Sequence, residues 1–281
     1  MNIYEETKFL MKKYNISANK DLGQNFLIDD NVIENIVEAA EINEKDFVIE
    51  IGPGLGTLTS RLVEKAGKVI AIELDKKMLQ ILNDRFALYN NFSLINEDVL
   101  KVELNNLIHH ENTQNYTVKI VANLPYYITT PIVMKLLEEK LNIESITVMI
   151  QKEVADRLTE TPGGKNTGAI TYCVYYYAEA QEVLTVPNTS FVPEPKVNSE
   201  VIKLNIRKKP PVVLKNEKIF FKVVKASFMQ RRKTLLNGLA NSGIASKEKL
   251  KEILQELNLS ENIRGESLSI EQFAEIANKL C

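Results

Sequence analysis

The stretch VIEIGPGLGTLT, residues 48–59, runs from a short apolar strand straight into a turn holding Gly52, Gly54 and Gly56, and then into a helical pattern over 57–65. Glycine is needed where the backbone takes a positive φ or must approach a ligand closely. Working outward, further apolar strands fall at 68–74, 92–98, 118–122 and 146–151. Helical spacing of apolar residues falls between them, at 32–40, 75–86, 130–140 and onward from Lys152. Asp29 or Asp30 stands where an N-cap is needed for the first of these helices. Strands alternating with helices at this spacing imply βαβ units and a mostly parallel sheet. The segments at 172–178, 182–186 and 201–206 are expected to complete one edge of that sheet as antiparallel strands.

The glycine spacing is G-x-G-x-G. It departs from the G-x-G-x-x-G of dinucleotide enzymes, in which the helix N-terminus holds a pyrophosphate. Glu50 stands just before the turn, where a carboxylate repels a pyrophosphate and suits a ligand bearing an ammonium. Glu73 ends the second strand, twenty-one residues after Gly52, where an acid can accept from both hydroxyls of a ribose. Asp98 ends the third strand, where it can accept from an adenine amine. An amino acid, a ribose, an adenine and no phosphate describe S-adenosylmethionine. The fold expected is a Rossmann-like α/β class I methyltransferase over residues 1–207.

Asn123-Leu124-Pro125-Tyr126 follows the fourth strand. The exocyclic amine of adenine is a poor nucleophile because its lone pair is delocalised into the ring. Two acceptors that grip its hydrogens draw the nitrogen toward a tetrahedral form, and the Asn123 side-chain oxygen and the Leu124 carbonyl can serve. Pro125 stiffens the turn, and Tyr126 offers a ring face to an extruded base. Phe191, in FVPEPKVNS (191–199), is a candidate for the other half of a stacking clamp.

The bulk numbers bound the rest. The chain has 281 residues, 44% of them hydrophobic and 26% charged, with a net charge of -2. Such a length and balance fit one large domain with a smaller one. Cys173 and Cys281 lie far apart, and the only histidines are His109 and His110, so neither a disulfide framework nor a metal site is expected. The first residues lack a signal-peptide pattern and no apolar run is long enough for a membrane span. A cytoplasmic monomer without membrane attachment is the expectation.

The character changes at RKKPP (207–211), beyond which only helical patterns remain, at 218–228, 231–239, 247–257 and 270–280. A small all-helical domain is therefore expected over residues 208–281. Between Lys203 and Lys233 stand eleven basic residues and one acid, Glu217, a local net of +10 that leaves -12 for the remainder. That asymmetry suits a phosphate backbone, and Arg231, Arg232 and Lys233 form its densest cluster.

Taken together, LGQNFLID (22–29), EIGPGLGTLT (50–59), AIELD (71–75), NEDVL (96–100), NLPYYITTPI (123–132), FVPEPKVNS (191–199) and SFMQRRKTLLNGL (227–239) resemble the ribosomal RNA adenine dimethyltransferases, in particular the small-subunit or kasugamycin-sensitivity methyltransferase family. The resemblance runs from about Lys20 to the last helix. It implies dimethylation of two adjacent adenines in a 3′-terminal hairpin loop of 16S ribosomal RNA, within the assembling small subunit. It also implies that Asn25 and Leu27 meet the cofactor alongside Gly52, Glu73, Asp98 and Asn123. Asn198 stands where many relatives have Asp. Three other readings compete: a large-subunit adenine methyltransferase conferring antibiotic resistance, a non-catalytic assembly factor on the same scaffold, and a nicotinamide oxidoreductase. The glycine spacing and Glu50 oppose the last.

Overall fold

The computed structural model describes residues 2–230 and 233–281, which form two compact units. The first comprises the chain up to Ala155 together with Ala180–Ile206, and the second comprises Asp156–Glu179 with Arg207–Cys281.

In the first unit the strands are β1 (Phe26–Leu27), β2 (Asp46–Ile51), β3 (Lys68–Glu73), β4 (Phe92–Asn96), β5 (Thr117–Asn123), β6 (Ser145–Gln151), β7 (Ala178–Val186), β8 (Phe191–Val192) and β9 (Ser199–Ile206). Seven of them form one sheet in the order β4-β3-β2-β5-β6-β9-β7. The ladders from β4 to β6 are parallel, and β9 runs antiparallel to β6. Every residue of β2 is buried, as a central strand covered on both faces requires. The order reverses between β2 and β5, where Ile51 pairs with Ala122. Open α/β sheets bind their ligands outside the strand ends at such a reversal, so the glycine turn and Asn123 emerge side by side where a ligand belongs.

Helices α1 (Ile3–Lys13), α2 (Asp30–Ala39), α3 (Thr57–Lys65), α4 (Lys76–Phe86), α5 (Leu104–Glu111) and α6 (Thr129–Glu138) belong to this unit, and α7 (Lys152–Thr159) carries the chain out of it. Asp29 caps α2 by accepting from the N–H groups of Asn31 and Val32, and Asp75 caps α4 by accepting from Lys77. The first residues do more than form a polar arm. Asn2 and Glu5 close a capping box, and α1 buries Ile3, Thr7 and Leu10.

The second unit is built from α8 (Ala169–Tyr177), α9 (Glu217–Met229), α10 (Leu235–Asn241), α11 (Lys247–Glu256) and α12 (Ile270–Lys279). Here the expectation of a strand at 172–178 is corrected, because those residues lie in α8 and in the first residue of β7. Their run of tyrosines and Val174 has high strand propensity, but packing overrides it. Tyr172 is fully buried with its ring 4.8 Å from that of Phe273, and its hydroxyl donates to the Leu268 carbonyl at 2.5 Å. Thr171 fixes the helix start, accepting from the Gly168 N–H at 3.0 Å and donating to the Arg157 carbonyl at 2.7 Å. The exposed face of α9 carries Lys218, Lys222 and Lys225. Lys233 is exposed as well, whereas Arg231 and Arg232 lie outside the described residues.

Among the described residues no helix is long and apolar enough to cross a membrane, and no group of three or more His, Cys, Asp or Glu side chains is placed to hold a metal.

Candidate active site

An open cleft lies at the carboxyl ends of the strands in the first unit. Asn25, Leu27, Gly52, Glu73, Asp98, Asn123, Leu124, Pro125, Tyr126 and Phe191 all line it.

The glycine turn forms one wall. Gly52, Gly54 and Gly56 all take positive φ, at 69°, 57° and 80°. At Gly56 a Cβ would come within 2.7 Å of the Phe86 ring, so the third glycine also permits close packing of α4. Glu73 is the last residue of β3 and is buried. Its Oε2 accepts from the Gly54 N–H at 3.1 Å and its Oε1 from the Asp75 N–H at 2.8 Å. Burial raises the Glu73 pKa above the usual carboxylate value, against the lowering effect of these backbone donors. Asp98 accepts from the Leu100 N–H at 2.9 Å and is itself approached by Glu97, whose Oε1 accepts from the Asp98 N–H.

Glu50 is 1% exposed and its Oε2 has no hydrogen-bond partner. Burial pushes its carboxyl from 4.5 up to about 8, with the Glu73 charge adding to the rise while Thr59 and Arg85 oppose it. Leaving a buried carboxyl oxygen unpaired is costly, so this atom has hydrogen-bonding capacity that no group of the described residues uses. Four carboxylates line the cleft (Glu50, Glu73, Glu97 and Asp98), with no Lys, Arg or His among the lining residues. A dinucleotide's phosphates find no counter-charge here, whereas a cationic ligand does.

The turn after β5 forms the floor. Asn123 pairs with Met149 in the ladder, and the Leu124 N–H donates to the Met149 carbonyl at 3.1 Å. Asn123 Nδ2 donates to the Asn25 carbonyl at 3.4 Å, which spends a donor and leaves Oδ1 as an acceptor for another partner. The Pro125 carbonyl accepts from the Ile128 N–H and the Thr129 hydroxyl, locking the turn onto α6. The Tyr126 hydroxyl is bonded to Ser199 Oγ at 2.7 Å, and burial raises its pKa, so the phenol stays protonated and the ring is held at both ends.

Two loops far apart in the chain close the remaining side. Strands β1 and β8 form their own antiparallel pair, with Phe26 opposite Val192 and Leu27 opposite Phe191. Asp29 Oδ2 accepts from Ser190 Oγ at 2.9 Å and the Ile28 N–H donates to the Ser190 carbonyl at the same distance, extending that seam. Asn198 steadies the loop after β8, its Oδ1 accepting from the Asn188 N–H at 3.1 Å.

Sequence reasoning missed several contributors. Gln24 donates to Asp75 at 2.9 Å and so ties the N-terminal loop to the end of β3. Leu74 offers a 48% exposed apolar side chain between Glu73 and the cap of α4. Arg85 donates to the Leu55 carbonyl inside the glycine turn and to Glu6 of α1. No local pattern marks Arg85, which is only a basic residue in a helix until the fold brings α1 to it. Glu6→Gln is expected to weaken cofactor affinity roughly fivefold and leave kcat at saturating cofactor within about twofold, because it loosens the turn without touching the reacting atoms. An unchanged cofactor affinity by calorimetry would show that the turn holds without this clasp.

A family model described as ribosomal RNA adenine dimethylase matches residues 15–280. A "Ribosomal RNA small subunit methyltransferase A" from Geobacillus sp. (strain WCH70) is 48% identical over 277 residues, covering 98% of this chain and 95% of that protein. The crystal structure of a dimethyladenosine transferase from Plasmodium falciparum superposes with a TM-score of 0.73 at 25% identity, covering 89% of this chain and 95% of the other. That of the 23S rRNA methyltransferase ErmE gives a TM-score of 0.68, also at 25% identity, over 91% of this chain and 99% of the other.

Proposed function

Since the chain belongs to the ribosomal RNA adenine dimethylase family, we propose that this S-adenosylmethionine-dependent enzyme dimethylates two adjacent adenines in a 3′-terminal hairpin loop of 16S ribosomal RNA, during assembly of the small subunit. The observation that carries this reading is the pairing of a cleft whose charged lining residues are all carboxylates with the Asn123 turn at the sheet's reversal point.

The residues present fit the cofactor. Glu73 would take the ribose hydroxyls, Asp98 the adenine amine, and the glycine turn with Asn25 and Leu27 would enclose the remainder. Glu50 would meet the ammonium. When bound, S-adenosylmethionine supplies a methyl group on a sulfonium, which leaves readily. The rest is positioning. Asn123 Oδ1 and the Leu124 carbonyl accept the two hydrogens of the target amine and free its lone pair from the ring. Tyr126, tethered through Ser199, would present its ring to the extruded base, and Phe191, buried in the lining of the same cleft, would close the other side. The lysines of α9, together with Arg231, Arg232 and Lys233, make residues 208–281 the part that engages the RNA backbone.

Glu50 gives this reading a proton signature. A folded carboxyl whose value lies above that of the unfolded chain holds a proton the unfolded chain has lost. The unliganded protein therefore loses stability from this group as pH rises from 4.5 to about 8. An arriving ammonium reverses the preference, so binding near pH 7 is expected to expel the proton. Calorimetry with S-adenosylhomocysteine in buffers of different ionisation enthalpy reads that release, which Glu50→Gln should lack. Equal release from both proteins would remove the ammonium partnership.

The overall reading is tested by labelled methyl transfer to small subunits from a strain lacking the modification, with large subunits alongside and the RNA digested to nucleosides. Dimethyladenosine in small-subunit RNA alone is the expected result. Label confined to large-subunit RNA would make this the resistance-type activity. No label in either, with cofactor binding intact, would favour an assembly factor.

A further inference from the structure

Tyr127 lines the cleft, yet the catalytic turn gives it no task. Four aromatic side chains among the described residues are prominently exposed: Tyr4, Phe9, Tyr89 and Tyr127. Tyr127, at 57%, is the most exposed of them and the one that lines the cleft. Its backbone is fixed inside the turn closed by the Pro125 carbonyl. Its ring is supported along one edge by the N-terminal loop. Gly23 takes a φ of 60°, and a Cβ there would stand 3.1 Å from Tyr127 Cδ1 and 3.4 Å from Cε1. An aromatic ring braced at one edge by backbone, open to solvent and adjacent to a base-binding site is the arrangement that stacks unpaired nucleobases.

We propose that Tyr127 is a second base platform, which stacks on the unpaired purine next to the adenine held against Tyr126. This rests on the RNA adenine methylation proposed above and names a further subsite of the same cleft. The division of labour follows from the geometry. Tyr126 is half-buried with its hydroxyl tethered, and so serves a base drawn into the cleft. Tyr127 is exposed at the cleft, and so serves a neighbour that stays outside. With two adjacent adenines as target, the platform holds one while the other reacts. Stacking on a ring face tolerates either a methylated or an unmethylated purine, so the same platform works before and after the first transfer.

The test compares wild type, Tyr127→Ala and Tyr127→Phe on small subunits lacking the modification, with kcat and KM for the particle measured separately. S-adenosylhomocysteine affinity is measured on the same three proteins. Tyr127→Ala is expected to lose roughly 5- to 100-fold in kcat/KM for the particle, the range set by one lost base stack, with S-adenosylhomocysteine affinity within about twofold. Tyr127→Phe, which keeps the ring and loses the hydroxyl, is expected to restore most of that loss. Full activity in Tyr127→Ala overturns the proposal. So does a Tyr127→Phe variant as impaired as Tyr127→Ala, because the hydroxyl would then be the working group. A parallel fall in S-adenosylhomocysteine affinity also overturns it, by making Tyr127 a prop for the Gly23 loop. A wild-type protein that transfers no methyl to the particle fails the underlying reading and takes this subsite with it, a result distinct from the other three.

Discussion

Asn123→Ala is expected to lower kcat for methyl transfer by roughly 10²–10³-fold, the cost typical of removing one positioned hydrogen-bonding group at a reacting centre. The amide of Asn123 already spends a donor on the Asn25 carbonyl, so what the substitution removes from the cleft is an acceptor. The Leu124 carbonyl remains, since the main chain is held to Met149. One acceptor then grips one amine hydrogen, and the nitrogen stays conjugated with its ring. Cofactor affinity should fall far less than kcat, because Glu73, Asp98 and the glycine turn are untouched and only the tether to Asn25 is lost. Single-turnover rates with S-adenosylhomocysteine binding as the companion measurement separate the two effects. A near wild-type rate would remove the amine-gripping role.

Glu73→Ala is expected to act on the other substrate, weakening S-adenosylhomocysteine binding by at least ~10²-fold. Hydrogen bonds from hydroxyls to a carboxylate are worth about 1.5–3 kcal/mol each, and two are lost together. The same carboxylate organises its own surroundings, since Gly54 and Asp75 both donate to it. Its removal therefore loosens the turn as well as the ribose site. The fold itself should survive. Burial raises the pKa of Glu73 in the unliganded protein, so the charge is a burden there until a ligand satisfies it. A folded unliganded variant, with an unfolding midpoint no higher than wild type and binding lost, is the expected pair of results. A loss under about fivefold in affinity would place the ribose elsewhere.

The parts of this molecule that could be read from the chain are those whose function demands a local pattern. Gly52, Gly54 and Gly56 are legible because a turn needing positive φ at three alternate positions admits little else. The placement of Glu73, Asp98 and Asn123 in one cleft is legible because Glu73 and Asn123 end strands of a parallel sheet, Asp98 stands two residues past the end of another, and strand ends converge on one edge. Arg85 and Gln24 were invisible for the opposite reason. Their partners are Glu6 and Asp75, brought together by folding and unmarked by any spacing. Helix α8 was misread because its tyrosines look like strand residues, and only the partners that bury Tyr172 decide otherwise. Helix α5 was not anticipated, and its exposed histidines and asparagines give a weak periodic signal.

The short seam between β1 and β8 joins the two candidate binding surfaces. Residues that would touch the cofactor, Asn25 and Leu27, adjoin or occupy one strand of it, and Phe191, which would close over the base, sits on the other. A ligand that orders one strand lowers the cost of ordering its neighbour. By thermodynamic reciprocity, whatever factor the cofactor adds to RNA affinity through this seam, RNA must return to the cofactor. Spent cofactor and methylated RNA are subject to the same reciprocity, so whatever one product's departure does to the hold on the other, the reverse departure does equally.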